Sequence, residues 1–491
     1  MTSMAVQRAS IDSPGTAAVS AITPNDLSRV FDLQRRAFAR SHPPSLKERR
    51  ATLATLARVV DENRMALIDA AQHDFGVRSP FETELSEVIG TTSSIRYLQS
   101  RLRSWMRPRR RSASIWFMPA KNQIEVSPLG VVGVVAPWNF PVQLGLIPAA
   151  TALAAGNRVM LKVSEFTPHL SSVLKRIVHE SFDAEQFFVT DGDGDVSAAF
   201  TKLPFNHLLF TGSTHVGRMV AKAAAENLTP ITLELGGKSP VVVDADYSID
   251  RAARNVAWAK LYNGGQVCAA PDYVLVPRGQ EQAFAHAVIA HARKMYPAMA
   301  GNPSYTAVLN RGHYDRVTRY VEECRSLGAE VMTAENPELG RGSRQLPLIV
   351  ILNPPADTAV MNEEIFAPIL PVVGYDSEED AIELVKSKGE PLALYVLSSG
   401  ASRQRLWLDR IPSGGAVVND MLIGYLQNDL PFGGRGKSGY GAYHAREGFD
   451  TMSHLRPVTY QKSIMGRTGV QMLYPPYSRF ASVLLKVMRR I

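Results

Sequence analysis

Cys268 ends the run Tyr262-Asn263-Gly264-Gly265-Gln266-Val267-Cys268, where two glycines allow an unusual backbone just before a thiol. A lone cysteine is most often a small buried hydrophobe. Its surroundings shift that balance. Glu234 lies 34 residues upstream in Leu233-Glu234-Leu235-Gly236-Gly237-Lys238-Ser239-Pro240, a carboxylate between two leucines. A charge in such a run is costly unless it is paired or its pKa is raised, and a raised pKa is what a general base near neutral pH requires. The plainer alternative is an ordinary ion pair with Lys238. Asn139, in Ala136-Pro137-Trp138-Asn139-Phe140-Pro141, is an amide pinned between prolines directly after an apolar stretch. Either it satisfies backbone groups in a turn, or its N–H joins the Cys268 N–H in holding an oxyanion.

These residues must be carried by regular elements, and the apolar pattern supplies them. Residues 27–105 show helical spacing (Leu46, Leu53, Leu56, Val60, Leu67), which predicts successive amphipathic helices. The segment 112–127 reads as a hairpin about Ala120-Lys121-Asn122. Strand-like runs at 131–136, 157–163, 186–190 and 207–210 then alternate with helices near 142–155, 169–181, 195–202 and 214–226. A second series has strands near 241–244, 273–277, 349–352, 370–375, 393–398 and 415–418, with helical stretches such as 279–294 and 311–326. Such alternation predicts an α/β fold of two doubly wound domains in tandem.

The chain has 491 residues, enough for two or three cores of ~100–200 residues each. Two cysteines exclude a disulfide framework or a four-thiolate metal site and point to a reducing, cytoplasmic setting. Residues 1–25 read as a flexible leader without the apolar core of a signal peptide. Val126 to Asn157 carries no charge and exceeds the ~20 residues that span a bilayer. Its four prolines and its amides Asn139 and Gln143 fit a buried strand, turn and helix better than a membrane helix.

Three apparent motifs fail. Gly434 to Gly439 matches G-x-G-x-x-G, but Pro431 spoils a strand leading into it, and the same proline stands where a P-loop needs glycine. Asp191, Asp193 and Asp195 imitate a calcium loop, yet Val196 and Lys202 occupy its glycine and glutamate positions. Histidines are scattered, and no metal is expected.

Taken in order, PWNFP, LKVSE, FTGSTHVG, LELGGKSP, NGGQVC, EEIFAP and LPFGGRGKSGYG resemble the NAD(P)-dependent aldehyde dehydrogenases, from about residue 30 to the end of the chain. The Tyr-Pro-Pro-Tyr tail at 474–477 resembles the shorter, class 3-like members. The run from ENLTPITLELGGKSP to CAAPDYVLVP resembles the coniferyl aldehyde dehydrogenases. The resemblance implies Cys268 as nucleophile, Glu234 as base and Asn139 as oxyanion donor in oxidation of an aldehyde to an acid through a thioester. An aromatic or medium-to-long apolar aldehyde is the expected substrate.

For the cofactor it implies Trp138, Lys162, Glu165, Gly212, Ser213, Gly217, Glu364 and Phe366. Gly212 to Gly217 follow a strand and open a helix whose N-terminus suits a pyrophosphate. Lys162 and Glu165 are expected at the adenine ribose, where a carboxylate repels a 2′-phosphate and favours NAD over NADP. Glu364 and Phe366 are expected at the nicotinamide ribose and ring. Two positions depart from the family pattern: Val163 replaces a proline, and Ala367 replaces a glycine, which is expected to add a methyl group beside the nicotinamide ribose. Gly433, Gly434, Gly436, Gly439 and Gly441 are read as close backbone packing behind the site.

The resemblance implies a Rossmann-like NAD-binding domain of 26–111 with 128–235, a catalytic domain of 236–450, and a small β oligomerisation element with the tail, 112–127 and 451–491. A homodimer, or a tetramer, is implied. A coenzyme A-acylating enzyme is the nearest alternative, and the presence of Glu234 argues against it. A catalytically silent structural or nucleic-acid-binding member is a further alternative, against which both Cys268 and Glu234 stand. The net charge of +8 resolves into two local patches: six arginines between Arg101 and Arg111, and five cations in the tail 465–491. The body is near neutral, so no nucleic-acid partner is expected. The end Phe480–Ile491 is a candidate for peripheral contact with an anionic membrane but is too short to span it. Cys324 is assigned to packing.

Overall fold

The computed structural model describes residues 23–463, 468, 471 and 474–489. The 1–22 part of the leader, and Arg467 and Arg490 of the basic tail, lie outside the described residues. Thr23 caps the first helix, Pro24–Arg40, through a capping box with Asp26, and Ser45 and Glu48 do the same for Leu46–Glu62. Leu53, Leu56, Val60 and Leu67 are all fully buried, as the helical spacing requires.

Three sheets organise the chain. The first has six strands in the spatial order Gly439–Tyr440, Ile231–Leu235, His207–Gly212, Val131–Val135, Arg158–Lys162 and Phe187–Thr190. It is parallel apart from its first strand, which pairs antiparallel with Ile231–Leu235. The second has seven: Glu330–Thr333, Ile349–Leu352, Ile369–Tyr375, Tyr273–Pro277, Pro240–Val243, Ala393–Leu397 and Gly415–Val418. Only Glu330–Thr333 runs antiparallel there. Two doubly wound α/β sheets are what the alternation predicts, and every strand read from it is present.

Three strands escape that reading, among them the two-residue Gly439–Tyr440 from the glycine loop. Ile231–Leu235 is five residues enclosed between Pro230 and a glycine pair, and Glu330–Thr333 is a short, partly exposed edge. The hairpin is also displaced from 112–127. Arg109–Arg111 pairs with Lys121–Pro128, and the apolar residues Ile115–Phe117 form a 3₁₀ turn in the connection. Charged residues form this strand because it lies at an exposed edge. Ser453–Tyr460 completes the third sheet on the other side of Lys121–Pro128.

The charge-free stretch forms the strand Val131–Val135 and the helix Pro141–Ala155, all fifteen of whose residues are buried. No helix among the described residues is long and apolar enough to cross a membrane. Near the end of the chain Arg479–Met488 is a capped helix with exposed Val483, Leu485 and Val487.

Candidate active site

The helix Ile249–Leu261 ends in a bend that delivers Cys268 to a cavity of about 1020 Å³ between the two large sheets. Asn263, Gly264 and Gly265 all have left-handed backbones, with φ of 50°, 60° and 72°. A Cβ on Gly264 would lie 2.8 Å from the Thr306 carbonyl oxygen, and one on Gly265 would lie 2.6 Å from the Ala367 carbonyl carbon. The two glycines are therefore a steric requirement of the approach to the thiol. Gln266, fully buried, fixes the turn: its Nε2 donates to Ala307 O at 3.0 Å and its Oε1 accepts from Leu309 N at 2.9 Å. Burial, followed by the charges of Glu364 and Glu234, pushes the Cys268 thiol up to about 12, so the resting group carries its proton.

Glu234 is held by the backbone on both sides of its strand, opposite Thr211 in one neighbour and Gly439 in the other. It lines the same cavity, is 2% exposed, and neither carboxylate oxygen has a hydrogen-bond partner. Burial raises its pKa well above the ordinary carboxylate value. The alternative of an ion pair with Lys238 does not hold, because Lys238 pairs with Asp272 and donates to the Val360 and Glu363 carbonyls. A Cβ on Gly439 would fall 1.9 Å from Leu233 O, so the glycine loop packs directly behind Glu234.

Asn139 lies between the strand Val131–Val135 and the helix Pro141–Ala155 and is 3% exposed. Its Nδ2 donates to Gln266 O at 3.1 Å, tying it to the cysteine loop. The amide carries a second N–H, and the residue lines the cavity with Cys268 and Glu234.

The other residues picked out in the sequence line the same cavity, with one exception. Lys162, 2% exposed, is held by Glu165 Oε2 at 2.8 Å. Ser213 caps the helix Thr214–Ala225, accepting from Val216 N, and its neighbour Gly212 also lines the cavity. Gly217 does not line it: a Cβ there would lie 2.6 Å from Leu235 Cδ2, so this glycine sets helix-to-strand packing. Trp138 packs edge-on to Phe366 at 5.3 Å, and Phe366 itself has φ of 54°, a left-handed conformation costly for a bulky residue. Glu364 is pushed up to about 8 by burial and then by the charge of Asp272, and it lies where a Cβ on Gly236 would sit. Ala367, by contrast, is fully buried in a core cluster with Ile365 and Ile369 and does not line the cavity. Its extra methyl group is absorbed by packing, contrary to expectation. Val163 is likewise core.

Sequence reasoning missed two contributors. Arg316 lines the cavity while donating to Ile365 O at 2.9 Å, Glu364 O at 3.3 Å and Tyr320 Oη at 2.8 Å, which braces the Glu364–Phe366 segment from behind. A second, narrower cavity meets the first at Cys268 and is lined by Phe140, Leu144, Tyr425, Phe432, Tyr443 and His444, among others. His444 is 8% exposed, its Nε2 is buried without a partner, and burial pushes its pKa down to about 4, so the ring is neutral at neutral pH. No spacing rule marks a lone histidine beside a tyrosine.

The aldehyde dehydrogenase family model matches residues 6–458, and the chain belongs to that family. A probable coniferyl aldehyde dehydrogenase of Pseudomonas aeruginosa is 42% identical over 456 residues, covering 93% of this chain and 94% of that protein. The coniferyl aldehyde dehydrogenase of Pseudomonas sp. strain HR199 is 40% identical over 466 residues, covering 94% and 96%. Among solved structures, the substrate-bound state of Staphylococcus aureus AldH matches with a TM-score of 0.89 at 31% identity, over 94% of this chain and 99% of that one.

Proposed function

We propose that the protein oxidises an aromatic aldehyde to its acid with NAD, through a thioester on Cys268 that water activated by Glu234 hydrolyses. The observation that carries this reading is that a thiol, an unpartnered buried carboxylate and an amide line one cavity. Cys268 releases its proton to solvent and attacks the carbonyl carbon as the thiolate, and the oxyanion that forms is held by Asn139 Nδ2 and the Cys268 N–H. NAD, when bound, supplies the hydride acceptor. Glu234, in its ionised form, then takes the proton of the attacking water, with no competing partner to satisfy first. The cavity suits the cofactor: at about 1020 Å³ it is at the upper end for ligand pockets, and it presents the capped N-terminus of Thr214–Ala225 together with the Lys162–Glu165 pair. Glu165 supports a preference for NAD over NADP.

The likeness to the two coniferyl enzymes supports an aromatic substrate, and the recess of about 20 Å³ beside Cys268 has room for one water-sized group such as a ring hydroxyl. In this reading the unpartnered His444 Nε2 meets a ring hydroxyl. The division into an NAD-binding and a catalytic domain, and a homodimer joined through the three-stranded sheet, belong to the same proposal. The test is a kinetic panel of coniferaldehyde, cinnamaldehyde, benzaldehyde, alkanals and semialdehydes with NAD and NADP, on wild type and His444→Leu. Coniferaldehyde is expected to lead. Its advantage over cinnamaldehyde should shrink in the variant by up to about tenfold, the worth of one hydrogen bond. A preference for charged semialdehydes overturns the substrate reading, and an unchanged ratio in the variant removes His444 from it.

A further inference from the structure

Three buried charges take no part in the chemistry above. Arg78, Glu82 and Glu87 are 1%, 7% and 0% exposed, and they lie where the short helix Pro80–Thr83 runs into the π-helical turn Glu84–Gly90. A π-helical turn inserts an extra residue and is found disproportionately at functional sites. Here Glu82, Ser86 and Glu87 are buried, while Phe81, Leu85 and Ile89 are exposed.

Each carboxylate engages a different half of the site. Glu87 Oε2 accepts from Val142 N at 3.0 Å and Gln143 N at 2.8 Å, the first turn of the helix Pro141–Ala155. That helix has no cap from its own N-cap residue, Phe140, so Glu87 supplies one from elsewhere in the chain, next to Asn139. Glu82 Oε2 accepts from the N–H of left-handed Asn263 at 3.0 Å and from Thr306 Oγ1 at 3.0 Å, which anchors the bend that leads to Cys268. Ser86 Oγ meets Tyr262 Oη at 2.5 Å in the same bend. Arg78 donates to Glu87 Oε1 at 3.3 Å and lies over the rings of Phe75 and Phe140 at 4.5 and 5.3 Å. Asn263 Nδ2 reaches Asn139 O at 3.4 Å and Gln266 O at 3.1 Å, so the two halves also touch.

We propose that Glu82 and Glu87 are positioning residues that fix the Asn139 amide and the Cys268 loop relative to each other. The proposal rests on the roles given above to Asn139 and Cys268. Its physical basis is that the oxyanion donors come from two separate chain segments. Both segments are gripped by one turn, and a misplacement of about 1 Å in such a site costs on the order of 10²-fold.

The test has two arms. In the first, kcat with coniferaldehyde at saturating NAD is measured for wild type, Glu87→Gln, Asn139→Ala and the double variant, with NADH binding read by fluorescence. Glu87→Gln is expected to lower kcat at least about tenfold while NADH affinity stays within about twofold, and to cost less than about twofold when Asn139 is already alanine. Equal factors in both backgrounds, or an unchanged kcat, overturn the proposal. In the second arm the rate of Cys268 alkylation by iodoacetamide, located by peptide mass mapping, is compared in wild type, Glu82→Gln and Thr306→Val. Thr306→Val keeps both carboxylates and removes a single hydroxyl, so this arm survives a Glu82 variant that fails to fold. The rate is expected to change at least about fivefold in Glu82→Gln and in the same direction in Thr306→Val. Unchanged rates overturn the proposal. An Asn139→Ala enzyme with wild-type turnover refutes the oxyanion assignment separately, and the alkylation rates then decide the positioning role alone.

Discussion

Replacing Glu234 by Gln keeps the shape of the side chain and removes its charge, in a strand whose backbone is paired on both sides. Attack by Cys268 and hydride departure do not require this carboxylate, so a burst of NADH near one per subunit should persist. Hydrolysis does require it, and a positioned general base contributes about 10²–10⁴-fold, so steady-state turnover should fall by about that factor. A second, independent consequence concerns stability. Burial raises the folded-state pKa of Glu234 above its unfolded value, so the stability it contributes is fully present below the unfolded pKa and is lost as pH rises through the folded pKa. Gln lacks that loss. An unpaired buried group of this kind costs about 1–3 kcal/mol or somewhat more when charged. With about 2.1 cal/mol/K per residue over 491 residues, each kcal/mol corresponds to about 1 °C. The variant should therefore melt about 1–3 °C above wild type at alkaline pH, and the gap should close towards pH 5. Stopped-flow NADH absorbance and scanning fluorimetry over a pH series measure both effects. Loss of the burst together with turnover, or a melting difference independent of pH, would refute the reasoning.

Cys268→Ala should bind NADH with wild-type affinity and form no NADH with any aldehyde; turnover at the wild-type rate sinks the nucleophile assignment. Light scattering after size exclusion should give twice the chain mass or a higher even multiple, whereas a clean monomer retires the dimer.

What the sequence made legible was the chemistry that needs special backbone. Gly264 and Gly265 announce a left-handed approach to a thiol, and the prolines around Asn139 announce a rigid turn; both are where the structure needs them. The inward-facing Glu82 and Glu87 were not legible. Charges in a helical stretch normally read as a solvated face, and the π-turn at Glu84–Gly90 breaks the 3.6-residue period by which an inward-facing carboxylate could be recognised. The strand bearing Glu234 was hidden for another reason. It is short, and its antiparallel neighbour, Gly439–Tyr440, comes from a glycine loop without strand-like composition.

That neighbour has a consequence for synthesis on the ribosome. Gly439 emerges roughly 200 residues after Glu234, and Ser453–Tyr460, which closes on Lys121–Pro128, emerges later still. The first sheet cannot acquire its last strand, nor the third sheet its full set, until residues 439–440 and 453–460 have left the exit tunnel. A nascent chain halted before residue 439 therefore carries Cys268 and Glu234 with the back of the site open.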